Sequence, residues 1–202
     1  VHGETVAAGE AIVIGCQDGA VLYSGGELTK IQSPDAYGRI GNQFGTEDSP
    51  IVLGDYERSA EDRSSTVALI DTTNASMRLV DLPAPYWYQS FDRGPNGEGL
   101  VLTYDGNLQV IDVVTGTVTR SIPVTGPWEE SENWQDPHPQ AVVVDGMAYV
   151  TEPATQEIHA VDVEAGSVWK SASLDVVPNE LAGVSGDVEE HAEHEHEGEH
   201  DE

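Results

Sequence analysis

Val110-Ile-Asp112-Val-Val-Thr-Gly116-Thr-Val118 is matched position for position by Ala160-Val-Asp162-Val-Glu-Ala-Gly166-Ser-Val168. In both, β-branched and apolar residues flank an Asp-x-x-x-Gly core, which reads as strand, tight turn, strand. Leu69-Ile-Asp71-Thr-Thr-Asn-Ala75-Ser-Met77 is a weaker third copy. The recurring Asp71, Asp112 and Asp162 are expected to accept backbone N–H bonds in these turns and are assigned no chemistry.

The residues ahead of each copy repeat as well. His2-Gly-Glu-Thr-Val-Ala-Ala-Gly9-Glu-Ala-Ile-Val-Ile-Gly15 aligns without gaps on His138-Pro-Gln-Ala-Val-Val-Val-Asp-Gly146-Met-Ala-Tyr-Val-Thr151. Further copies run from Gly41 to Gly54 and from Ser90 to Thr103. Unit starts near 2, 41, 90 and 138 give a period of about 45 residues, the spacing of four-stranded β-propeller blades. Helical periodicity is absent. The fold expected is therefore all-β: a β-propeller of four blades over 1–186, each of about four antiparallel strands. A truncated blade set would expose whole apolar faces, so these blades are expected to belong to a larger ring, with a closed four-bladed ring as the alternative.

Residues 187–202, DVEEHAEHEHEGEHDE, form an acidic, His-rich segment expected to be a flexible tail. His191, His194, His196 and His200 stand among nine carboxylates with no Lys or Arg. Imidazole suits Zn, Cu and Ni, and interleaved carboxylates concentrate cations. A flexible segment binds at an ordering cost of about 1–2 kcal/mol per residue, which favours capture and release.

The whole chain carries a net charge of −29. Such a surface repels nucleic-acid phosphates and anionic membranes and attracts cations and basic proteins. The lone Cys16 excludes an internal disulfide or a Cys-based zinc cluster. No apolar run is long enough to span a membrane, and no signal peptide opens the chain at Val1. The chain is expected to be a processed product or a fragment.

In a propeller the first strand of each blade lines the central channel. His2 and His138 hold the same start position in two blades and are candidate ligands at the channel mouth. The loop after the second strand opens on that face, so Asp18, Asp55 and Glu152 are candidate oxygen donors, with Asp136 beside His138. His159, within a third strand, is a further candidate. Trp87, Trp128 and Trp134 are expected to pack between blades.

Ile14-Gly-Cys-Gln-Asp-Gly19, Arg93-Gly-Pro-Asn-Gly-Glu-Gly-Leu-Val-Leu102, Trp134-Gln-Asp-Pro-His-Pro139, Ala148-Tyr-Val-Thr-Glu-Pro153 and Glu157-Ile-His-Ala-Val-Asp162 together resemble the AztD-type periplasmic zinc metallochaperones. These are β-propeller proteins about twice as long, with His-rich flexible segments of their own. The resemblance implies that this chain corresponds to a C-terminal half, located in the periplasm or another extracytoplasmic space, secreted or lipid-anchored. It also implies that Zn(II) is passed by ligand exchange to the solute-binding protein of a zinc ABC importer, with no reaction catalysed. In that scheme the tail collects zinc and the propeller holds it through His2 and His138. Two other readings fit a propeller: an interaction scaffold without a body metal site, and a hydrolase or lactonase with its metal in the channel.

Overall fold

The computed structural model describes residues 2–61 and 63–185, with the side chain of His2 outside that description. The tail, with its four histidines, lies outside the described residues. Among the described residues seventeen strands form four sheets, antiparallel but for one short strand, as the repeats predict. The first holds β1 (His2–Ala7), β2 (Ala11–Cys16), β3 (Asp18–Ser24) and β4 (Glu27–Gln32), with the short β5 (Gly38–Arg39) pairing β3 in parallel. The second holds β6 (Gln43–Thr46), β7 (Ser49–Asp55), β8 (Thr66–Asp71) and β9 (Ser76–Asp81). The third holds β10 (Tyr86–Arg93), β11 (Gly99–Thr103), β12 (Asn107–Asp112) and β13 (Thr117–Pro123). The fourth holds β14 (Ala141–Val144), β15 (Met147–Glu152), β16 (Glu157–Asp162) and β17 (Ser167–Ser173). Among the described residues no helix is long and apolar enough to cross a membrane.

Each sheet is a meander, and β1, β6, β10 and β14 lie side by side in that order, so the sheets radiate from a shared inner edge. The inner strands depart from the repeat in detail. β10 begins at Tyr86, ahead of Ser90, and slips register between Tyr86 and Phe91. β14 begins only at Ala141, because Pro137 and Pro139 flank His138 and cannot donate to a ladder.

Side chains alternate across each strand, and along middle strands such as β8 and β11 both faces are buried. Along β8, Ala68 and Ile70 join the seam with the first blade, while Val67 and Leu69 join the seam with the third. The third seam sets Leu100, Leu102, Leu108 and Val110 against Ala148, Val150, Val161 and Val163. Arginines latch successive blades. Arg78 donates to the carbonyls of Val113 and Val114 (2.9 and 3.0 Å), and Arg120 donates to those of Val163 and Glu164 (2.6 and 2.7 Å).

The Asp-x-x-x-Gly turns close as expected. Asp112 Oδ1 accepts the Val114 and Thr115 amides, Asp162 Oδ1 accepts that of Ala165, and Asp71 Oδ1 accepts that of Thr73. Gly116 and Gly166 sit at φ 73° and 71°, the left-handed region that favours glycine.

After β17 the chain returns across the fourth blade. The Leu174 amide bonds the Gln156 carbonyl at the loop end of the blade. Gln140 then grips the returning strand from both sides, donating to the Asn179 carbonyl (2.7 Å) and accepting the Leu181 amide (2.9 Å). Gly183 packs against Val142 and Val144, and Ser185 donates to Asp145. Residues 179–185 thus run beside β14 from its start to its far end.

Candidate metal centre

β15 and β16 are joined by a tight turn, and their register sets Glu152 directly opposite Glu157. Two residues further along β16, His159 projects from the same face by strand alternation. Ligand atoms of Glu152, Glu157 and His159 all lie within 4.8 Å of one another. Val150, Ala148 and Val161 continue that face into the seam with the third blade, so the cluster lies at the upper end of the seam. His159 is 5% exposed and both carboxylates are half-buried.

His159 and Glu152 are oriented by hydrogen bonds. His159 Nε2 lies 3.1 Å from Glu152 Oε2, and His159 Nδ1 lies 2.8 Å from the Ser171 hydroxyl on β17. Glu152 Oε1 accepts the Gly126 amide at 2.7 Å, which ties the carboxylate to the segment linking the third and fourth blades. Among the described residues neither carboxylate pairs with Lys or Arg. Like charges directly opposed across a sheet are destabilising, and a bound cation removes that cost.

The donor set fits zinc. Zn–N and Zn–O bonds of about 2.0–2.2 Å place tetrahedral donors about 3.4 Å apart. The His159–Glu152 separation of 3.1 Å lies near that edge length, and a Glu157 carboxylate oxygen lies within 4.8 Å of both. Three protein ligands leave one coordination position for an incoming ligand. Glu152 also lines an adjacent cavity of about 370 Å³ walled by Trp128, Pro137, Pro139, Pro153 and Val177.

The other expected ligands are placed differently. His138 is 3% exposed and stacks on Trp87, with centroids 4.4 Å apart and planes 14° apart. Trp128 meets it edge-on at 6.3 Å. Its Nε2 accepts the Ser131 amide at 3.2 Å, so that lone pair is engaged within the protein. The backbone of His2 opens β1 opposite Gly15. His191, His194, His196 and His200 lie outside the described residues.

Among the expected oxygen donors, Asp55 is buried and accepts the Gly41 and Asn42 amides and the Asn42 side chain (2.5, 3.1 and 2.7 Å). Burial pushes its carboxyl above the usual carboxylate range, against those donors. Asp18 is paired with Lys30, and Asp136 is held by Ser131 and Asn133. Among the described residues, Glu152 is the one of these oxygen donors that meets a histidine ring nitrogen. Trp87 and Trp128 pack as expected, whereas Trp134 is largely exposed beside a second cavity that His138 and Glu180 also line.

Glu157 is the member that sequence reasoning missed. The available signal was Glu152-Pro-Ala-Thr-Gln-Glu157-Ile-His159, in which a four-residue turn opposes two Glu and the period of two aligns the second with His.

No family model matches the chain. The zinc chaperone AztD of Citrobacter koseri is 27% identical over 208 residues, covering 99% of this chain and 48% of that protein. The chain thus spans about half the length of the curated relative it matches. The structure of apo AztD from the same organism superposes with a TM-score of 0.75 at 25% identity, over 88% of this chain and 48% of that one. A Myceliophteria thermophila β-propeller domain, Cps50 (Swd1), matches with a TM-score of 0.58 at 12% identity, over 87% and 56% of the two chains. That last likeness concerns the fold alone. In sequence and in structure the chain is thus similar to about half of AztD.

Proposed function

We propose, from its standing as an AztD-type segment, that the chain takes part in non-enzymatic zinc handling. It captures Zn(II), holds it at Glu152, Glu157 and His159, and passes it to the solute-binding protein of a zinc ABC importer. The setting that suits this role is the periplasm or another extracytoplasmic space. The observation that carries the reading is the buried imidazole flanked by two opposed carboxylates that pair with no Lys or Arg among the described residues.

The chemistry is ligand exchange. Zinc draws no geometric preference from its d-electrons, so donors from two proteins can replace one another stepwise. One imidazole and two carboxylates hold it without thiolates, and the fourth position admits a donor from the receiving protein. In this scheme His191, His194, His196 and His200 collect the ion. Residues 186–202 at about 3.3 Å each have a contour of roughly 55 Å. The returning chain reaches Ser185 beside Asp145, about one strand length, roughly 15–20 Å, from the cluster. The tether therefore permits the tail to reach the site. His138 serves the aromatic stack, since its Nε2 is engaged by Ser131.

Zinc titration of the full-length chain tests this. With His191, His194, His196 and His200 all replaced by Ala, one zinc should still bind; adding His159→Ala should abolish it. Retention of that zinc by the His159→Ala chain removes the body site from the proposal.

A further inference from the structure

We infer that Ser171 is a positioning residue for zinc, holding His159 in whichever tautomer the occupancy of the site demands. This rests on the reading that Glu152, Glu157 and His159 hold the ion. His159 and Ser171 are directly opposed in the β16–β17 pairing, so the sheet register fixes their approach. Both ring nitrogens are engaged, Nε2 with Glu152 Oε2 and Nδ1 with Ser171 Oγ.

Without metal, a Glu152 carboxylate accepts, so Nε2 carries the ring proton and Nδ1 accepts from the Ser171 O–H. With zinc, Nε2 gives its lone pair to the ion. The ring stays neutral by losing the Nε2 proton to solvent and gaining one at Nδ1, which then donates to Ser171 Oγ. A hydroxyl is both donor and acceptor, and it rotates between the two roles. Alanine fills neither role, and an amine or carboxylate fills only one. Partners on the second ring nitrogen fix the orientation and basicity of a ligating histidine, and their loss costs about 10–100-fold in metal affinity.

The third blade offers an internal comparison. Gln109 stands at the position of His159 and is opposed by Ser121, but its Nε2 turns to Thr103 Oγ1 at 3.0 Å. A serine partner is engaged only where the facing residue is the histidine.

The test uses the full-length chain with the four tail histidines replaced by alanine, and zinc affinity read by chelator competition. Ser171→Ala should weaken zinc about tenfold, and Ser171→Thr should stay near the parent. Nitrogen-15 spectra of His159 should show Nε2–H without zinc and Nδ1–H with it, and an unchanged tautomer on loading overturns the inference. A Ser171→Ala affinity within twofold of the parent, where His159→Ala abolishes binding, overturns this inference and leaves the zinc site standing. Parent and His159→Ala chains binding alike overturn the site itself.

Discussion

Glu152 and Glu157 are directly opposed across the β15–β16 pair, with His159 within reach of both and with neither paired to Lys or Arg among the described residues. In an apo sheet that arrangement costs stability, and it becomes favourable when a cation enters. Glu157→Gln should therefore stabilise the zinc-free protein by about 0.5 kcal/mol while weakening zinc. Parallel urea unfolding and zinc titration check both signs. A loss of both stability and affinity would indicate that Glu157 serves the fold instead.

His138→Ala should behave in the opposite way. Removing a buried ring stacked on Trp87 and leaving the Ser131 amide without an acceptor should cost about 2 kcal/mol. The zinc stoichiometry of the body should not change. Urea unfolding and zinc titration of the same variant separate packing from ligation.

Gly166→Ala tests the turn that defines the repeat. The residue sits at φ 71°, and a Cβ there would lie 2.8 Å from Arg120 Cδ. The strained backbone and the displaced Arg120, which latches Val163 and Glu164, should together cost about 1–3 kcal/mol. Thermal unfolding of the variant gives the measurement.

Acid should loosen the same turns. The Thr73 hydroxyl and then backbone amides hold Asp71 below the usual carboxylate range, and the Thr115 amide does so first for Asp112. A depressed folded-state pKa gives stability that is present above the unfolded value, about 3.9, and is lost as pH falls through the lowered one. Asp71→Asn with Asp112→Asn should flatten that acid limb, seen as a urea midpoint that changes less with pH below about 4.

Much of the architecture was legible because a propeller repeats. The Asp112 and Asp162 turns announce themselves by type and spacing, and unbroken apolar runs such as Leu100-Val101-Leu102 mark strands buried on both faces. The metal cluster was less legible because it depends on register. His159 was recognised only as a residue type, and its partner Glu157 acquires meaning when the β15–β16 turn opposes it to Glu152. His138 shows the reverse: equivalence with His2 suggested a shared ligand position, but two prolines displace it from the strand into a stack with Trp87. Pattern identified the blade, and cross-strand pairing brings the candidate donors together.

In the proposed scheme the body of this propeller holds zinc between Glu152, Glu157 and His159. Crystals of the zinc-loaded protein, with data collected on both sides of the zinc absorption edge, test it most directly. An anomalous peak is expected about 2.0–2.2 Å from a carboxylate oxygen of each Glu and from His159 Nε2. A peak at His138, or no peak in the body of a zinc-saturated protein, would contradict it.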